Sequence, residues 1–304
     1  MTDAACPMDR RRALLTLGGA FTAAHVAWGK EPSPAKETAG PRFAIRSPLV
    51  GKTLAERAAL VGRLGYEGIE LGGGRWFNPP VKQILADLKG PGIRVTAVSA
   101  LQRLLDPDAE KRREAVQENK RRLAKARDLG AAVLVVVPVF GDKRHFTGSS
   151  DDNPYLQEDK LLVQALEQLA PTAEKTGVRV VLEPLTHLET YYMNLQGHAL
   201  RIVEKVGSPA VGILSDFYHM QMEEKDIPAA LQACAHRTYY LHMADGKART
   251  EPGSLPFDYR PGFAVLKKKG FRGWITLEGN ASGKDVPALL AKSLVYLKRQ
   301  WSEA

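Results

Sequence analysis

Four short apolar runs in the second half of the chain each end in a side chain able to bind a metal: Val180-Val181-Leu182-Glu183, Gly212-Ile213-Leu214-Ser215-Asp216, Tyr240-Leu241-His242 and Ile275-Thr276-Leu277-Glu278. A carboxylate at the end of a buried run is costly unless something compensates for it, and three of them around an imidazole repel strongly without a cation. A divalent metal resolves that conflict. Three carboxylates and one neutral imidazole form a hard, oxygen-rich site that suits one Mn2+ ion, with Mg2+, Co2+ or Zn2+ as alternatives. One such residue alone reads as a helix cap or an arginine partner; the four together point to a metal site.

The elements that must carry these residues are legible in the periodicity. From Arg42 onward, short runs rich in Val, Ile and Leu alternate with amphipathic stretches, the pattern of parallel strands joined by helical crossovers. The expected strands are Arg42–Ser47, Gly68–Leu71, Arg94–Ser99, Ala132–Pro138, Val178–Glu183, Ala210–Ser215, Thr238–Met243 and Trp274–Leu277. The expected helices are Thr53–Leu64, Val81–Leu88, Asp108–Leu129, Leu161–Thr176, Gly197–Val206, Asp226–Ala235, Phe263–Lys269 and Val286–Leu297. Gly65, Gly92, Gly130, Gly177, Gly207 and Gly270 stand shortly before strands, where a helix ends in a left-handed residue. Eight βα units predict an α/β fold, a single (β/α)8 TIM barrel over 41–304, whose active site lies at the C-terminal ends of the strands. Gly72-Gly73-Gly74 is not a phosphate-binding turn, because Trp76-Phe77-Asn78-Pro79-Pro80 follows in place of a helix; it reads as a mobile rim loop.

Several pieces carry a more specific likeness: Gly65-Tyr66-Glu67-Gly68-Ile69-Glu70-Leu71, Glu183-Pro184-Leu185 with Glu189 and Asn194 downstream, Asp216-Phe217-Tyr218-His219, His242-Met243-Ala244-Asp245, Pro252-Gly253 and Gly273-Trp274-Ile275-Thr276-Leu277-Glu278. In these the chain resembles the xylose-isomerase-like barrels of the sugar phosphate isomerase and epimerase superfamily, which includes the tagatose and psicose 3-epimerases and hydroxypyruvate isomerase. The resemblance implies that Glu183, Asp216, His242 and Glu278 bind the metal. It also implies that Glu183 and Glu278 exchange protons on opposite faces of an enediolate, and that His219, Arg249 and Glu189 contact the substrate. His219 is expected to swing from the loop after Asp216. Two departures stand out. Arg249 follows His242 by seven residues where the family pattern has six, with Lys247 as a competitor, and Ser254-Leu255-Pro256 replaces the usual second glycine after Gly253.

The other histidines of 41–304, His145, His187, His198 and His236, read as surface or structural residues, and Trp76 and Phe77 as either sugar-stacking or rim-packing side chains. The endonuclease IV branch shares the fold and part of the ligand set but needs further histidines. Here Glu70 and Ser99 end strands two and three, and no Asp-x-His follows His242. The formal charge of +9 is scattered over helix-like stretches and not gathered beside aromatic residues, so nucleic acid is not an expected partner. The expected partner is a small sugar or keto-sugar; assembly as a homo-oligomer is left open by the residues.

At the N-terminus, Arg10-Arg11-Arg12 precedes the apolar stretch Ala13–Ala24, which is too short to span a bilayer. It reads as a twin-arginine signal peptide with a linker over 1–40, cleaved between Ala24 and Gly40, and predicts an exported, periplasmic protein without stable membrane insertion. Of the two cysteines, Cys6 falls in this segment and Cys234 stands alone, so no disulfide is expected. Three activities fit: an isomerase or epimerase, a lyase or hydratase on 3-keto sugars or glycosides, and a non-catalytic sugar-binding barrel.

Overall fold

A computed structural model describes residues 40–150 and 153–304. The expected export signal and linker, Gly40 apart, lie outside the described residues. Eight strands, β1 (Arg42–Ser47), β2 (Gly68–Leu71), β3 (Arg94–Ser99), β4 (Val133–Val136), β5 (Arg179–Leu182), β6 (Val211–Asp216), β7 (Thr238–Met243) and β8 (Trp274–Glu278), pair in sequence order and close into a barrel. Every pairing is parallel, including β1 with β8.

The crossovers are α1 (Leu54–Arg63), α2 (Val81–Lys89), α3 (Ala109–Leu129), α4 (Leu156–Thr176), α5 (Gln196–Val206), α6 (Phe217–Glu223), α7 (Ile227–Cys234), α8 (Arg260–Lys268) and α9 (Val286–Ser302). Their ends follow local chemistry. Thr53 and Glu56 form a reciprocal capping box at the start of α1, and Asp108 caps α3 through the Glu110 amide. Gly130 and Gly177, at φ 74° and 72°, end α3 and α4 in the left-handed conformation that lets the chain turn into the next strand. Two helices begin earlier than their apolar periodicity indicates, α4 at Leu156 and α8 at Arg260, and α9 runs on to Ser302. The short helix α6 was not expected from the sequence, because seven residues hold too few turns to show a period. The triple-glycine segment is not a plain loop: Gly74–Trp76 forms a 3-10 turn.

Strand alternation sorts the side chains between barrel interior and helical shell. Leu214, Tyr240 and Trp274 lie side by side across β6, β7 and β8. The three belong to one buried cluster that also holds Ala44, Ala97, Val133, Val135 and Val181. The phenol of Tyr240 is fully buried, and it is satisfied by Thr96 and Thr276, each at 2.7 Å. At Gly68 a β-carbon would collide with Thr96 and Trp274, so this position must be glycine for the Trp274 ring to fit inside the barrel. Two residues further along each strand, the same inward face presents Arg46, Glu70, Asp216 and His242. A packed apolar plug therefore lies directly beneath a polar layer at the C-terminal end. Among the described residues no helix is long and apolar enough to cross a membrane.

Candidate active site

Asp216 and His242 are register partners on β6 and β7, and β5 and β8 flank them. That arrangement brings Glu183, Asp216, His242 and Glu278 together, with one potential ligand atom from each lying within 4.8 Å of the others. Asp216 is fully buried and doubles as the N-cap of α6, accepting the Tyr218 amide on Oδ1 at 2.8 Å. Its Oδ2 is thereby turned toward the other ligands. The Asp-x-x-His spacing has a simple consequence on this helix: His219, one turn on, lies on the same side, with Nε2 3.4 Å from Asp216 Oδ2.

His219 does not swing from a loop, as the sequence suggested. It is held on α6, only 1% exposed, and its Nδ1 accepts the Thr186 amide at 3.0 Å. That bond puts the ring proton on Nε2, a buried atom with no hydrogen-bond partner among the described residues. Burial lowers the His219 pKa to about 4, against the opposing pull of Glu183, so the ring is a neutral donor at ordinary pH.

The electrostatics show what the cluster lacks. His242 Nδ1 lies 2.9 Å from Glu183 Oε1 and 2.7 Å from Glu278 Oε2, and its Nε2 lies 2.8 Å from Glu70 Oε2. Burial disfavours the imidazolium, but Glu278, Glu70 and Glu183 outweigh it and push the His242 pKa well above its ordinary value. Burial likewise opposes ionisation of Glu278, yet His242 and Arg46 hold its carboxyl well below the usual range. Asp216 moves the other way, raised by burial despite Arg249 and His242. Arg249 Nη2 bridges Asp216 Oδ2 and Glu278 Oε2 at 3.0 Å each. Four carboxylates, those of Glu70, Glu183, Asp216 and Glu278, thus face two guanidiniums, those of Arg46 and Arg249. With a neutral imidazole the carboxylates outnumber the guanidiniums, and Glu189, 3.5 Å from Arg249 Nη1, adds to the acidic side, an excess that a divalent cation offsets. The donor set, its spacing and its charge therefore fit a metal ion, and the protonated histidine and bridging arginine are the compensation available without one.

The other expected site residues take distinct places. Arg249 reaches the cluster, and the longer spacing after His242 is absorbed by a turn in which Arg249 adopts φ 50° and accepts the Asn280 amide at 2.6 Å. Lys247 is exposed and does not compete. Glu189 stands at the rim, 3.5 Å from Arg249 Nη1. Asp245, the aspartate of His-x-x-Asp, clamps the following loop by accepting the Gly253 and Leu255 amides at 2.7 and 3.0 Å. Asn194 similarly donates to the Leu185 and Thr190 carbonyls. His145 is exposed, His187 pairs with Glu223, His198 with Asp159, and His236 with Glu204. Phe77 is buried and the Trp76 ring is covered by Arg57 and Arg75, so both are accounted for by rim packing.

Two residues of the site were not among the site residues expected from the sequence, although Glu70 was read there as the end of the second strand. Arg46, on β1, and Glu70, on β2, form an ion pair at 3.0 Å, and Arg46 Nη1 also lies 3.1 Å from Glu278 Oε1. The available signal was a charged side chain inside each of two otherwise apolar strand ends. Beside them opens a cavity of about 220 Å3 lined by Arg46, Glu70, Leu71, Gly72 and Trp76 among others. A wider cleft of about 520 Å3, lined by Gln221, Asp226, Phe257 and neighbouring residues, contains none of the four ligand-type residues.

Comparison with known proteins agrees with this architecture. The chain is 26% identical over 220 residues to a probable ketose 3-epimerase of Synechocystis, covering 71% of this chain and 75% of the relative. It is 26% identical over 250 residues to the 3-dehydro-D-guloside 4-epimerase of Escherichia coli K12, covering 81% and 95%. The crystal structure of an apo 3-keto-D-glucoside 4-epimerase from E. coli superimposes with a TM-score of 0.76 at 24% identity, over 85% of this chain and 99% of that one. A family profile described as Xylose isomerase-like TIM barrel matches residues 58–300, so the chain belongs to that family.

Proposed function

We propose that this chain is a divalent-metal-dependent isomerase or epimerase of a sugar or keto-sugar. In this reading Glu183, Asp216, His242 and Glu278 hold one ion, and Glu183 and Glu278 exchange a carbon-bound proton of the substrate. The observation that carries the proposal is the convergence of those four side chains within 4.8 Å. Mn2+ suits the hard donor set with a single nitrogen; Mg2+, Co2+ and Zn2+ are the alternatives. A bound ion would polarise a substrate carbonyl and its neighbouring hydroxyl and so stabilise the enediolate.

The chain's own residues supply the proton transfers. Glu183 and Glu278 come from β5 and β8, with Asp216 and His242 on the two strands between them, so the two carboxylates approach from either side of the ligand set. Arg46, with Nη1 3.1 Å from Glu278 Oε1, favours the ionised form of that carboxyl, as a base requires. The unpartnered Nε2–H of His219 donates to a substrate oxygen, and its neutral ring remains a donor without becoming a competing acid. Arg249 is placed to turn from Asp216 and Glu278 toward a substrate oxygen once those carboxylates serve the ion, with Glu189 beside it at the rim.

The E. coli relative named as acting on a 3-dehydro-guloside supports an oxidised sugar as substrate. The same relative favours a second reading, because deprotonation next to a 3-keto group can also expel a β substituent, making the enzyme a lyase or hydratase. Incubation in D2O with a panel of ketoses and 3-keto glycosides tests both. Deuterium at one carbon, lost with EDTA and restored by Mn2+, is the expected result; release of the β substituent would replace epimerase by lyase. A protein that binds sugar and metal without any exchange would be a binding barrel. Export forms part of the proposal, resting on Arg10-Arg11-Arg12 and Ala13–Ala24, and fractionation that leaves the chain in the cytoplasm would overturn it.

A further inference from the structure

Arg46, Glu70, His242 and Glu278 close a circuit. Arg46 Nη1 contacts Glu70 Oε1 at 3.0 Å and Glu278 Oε1 at 3.1 Å, while the second oxygen of each glutamate takes one nitrogen of the His242 ring, Glu70 Oε2 on Nε2 at 2.8 Å and Glu278 Oε2 on Nδ1 at 2.7 Å. Glu70 is 3% exposed and His242 fully buried, so neither can exchange these partners for water. An imidazole binds a metal through one nitrogen only when the proton sits on the other, and the partner of that second nitrogen selects the tautomer. Nδ1 faces Glu183 and Glu278, whereas Nε2 points across the barrel to Glu70, which is not a member of the four-residue cluster.

We propose that Glu70, aimed by Arg46, is the positioning residue that keeps the proton of His242 on Nε2 and presents Nδ1 to the divalent cation. The two oxygens of Glu70 have separate tasks: Oε1 accepts from Arg46 and Oε2 accepts from the ring. Because Arg46 can only donate, it dictates how any side chain at position 70 is oriented. The consequence is specific. In Glu70→Gln the amide oxygen must face Arg46, so the amide NH2 faces Nε2 and demands an acceptor there. That moves the ring proton to Nδ1, the atom that has to be bare for a ligand. A substitution that barely changes volume thus reverses the tautomer.

The inference rests on the proposed metal site, and the experiment separates the two. Mn2+ dissociation constants are measured by titration calorimetry for the wild type, Glu70→Gln, Arg46→Met and the double variant, with thermal unfolding as the check on folding. Glu70→Gln is expected to weaken Mn2+ about 10–100-fold. In the Arg46→Met background the amide is free to turn its oxygen to Nε2, and the same change should cost less than about threefold; a purely structural role would give additive losses. Should Glu70→Gln not fold, long-range 1H–15N correlation on histidine-labelled, Zn2+-loaded wild type reads the tautomer directly, and a proton on Nε2 of His242 is the expected result. A proton on Nδ1, an undiminished affinity in Glu70→Gln, or additive losses in the double variant would overturn the inference and leave the metal site standing. A wild type that binds no Mn2+ would overturn both.

Discussion

Two buried clusters in this barrel combine carboxylates with histidine, and they are built on opposite principles. Around Asp159, one carboxylate meets three donors: Tyr192 Oη and His198 Nε2 on Oδ1 at 2.8 and 2.7 Å, and Asn153 Nδ2 on Oδ2 at 2.8 Å. His198 itself packs edge-on to Tyr192 and stacked on Tyr155. Every acceptor has its donor, so the cluster is complete as folded, and it ties the start of α4 to the loop before α5. At the barrel mouth the balance is reversed: four carboxylates share one histidine and two arginines, and a buried His219 nitrogen is left without a partner. A satisfied polar cluster stabilises a fold, whereas an over-acidic one is held together only by compensating cations and is primed to accept another. The same residue types form a satisfied cluster in one place and an over-acidic one in the other because of their stoichiometry.

The largest test of that contrast is Glu278→Gln. It should lower the rate of substrate proton exchange by about 10^2–10^4-fold, the range for a lost acid-base group, and reduce bound metal below one per chain by elemental analysis. Because His242, Arg46 and Arg249 outweigh burial and hold Glu278 ionised in the metal-free protein, the same variant should also lower the thermal midpoint of the metal-free protein. A variant that keeps one metal per chain and an undiminished exchange rate would show that Glu278 is only a structural partner like Asp159, and the contrast would collapse.

Asp159→Asn should leave metal content intact while costing about 1–3 kcal/mol of stability through unmatched buried donors. For a domain of this size that amounts to a midpoint lower by about 2–4 °C per kcal/mol in calorimetry. The acid limb sharpens the point. Although burial opposes it, hydrogen bonding to His198, Asn153 and Tyr192 holds the Asp159 carboxyl below its ordinary value. Its contribution is therefore complete above about pH 4, where the unfolded carboxyl is already ionised, and is lost as pH falls through the lower folded value. The wild type should lose stability relative to Asp159→Asn below about pH 4, and parallel acid limbs would show that the carboxylate carries no such share.

Much of this arrangement was readable in the chain. Alternating apolar runs and amphipathic stretches announced the eight strands, since a parallel strand covered on both faces has to be apolar along its length. Glu183, Asp216, His242 and Glu278 stood out because each ends such a run, where a charged side chain needs a reason. Helix α6 was not readable: it is set by Asp216 acting as a cap and by burial of Phe217 and Met220, not by a period. Neither was the fixed orientation of His219, which depends on the Thr186 amide, 33 residues away in sequence.

The chain alone determined the repeat, the fold class and the four strand-end residues, because period and burial are local properties of a sequence. Closure of the barrel decided which charges meet. Glu70 and His242 are 172 residues apart in sequence, on strands that do not pair, and they touch only because closing the ring leaves just β1 and β8 between β2 and β7, within reach of two side chains across its interior. Register then set which nitrogen faces which carboxylate, since a shift of one residue on any strand would turn its polar end into the helical shell.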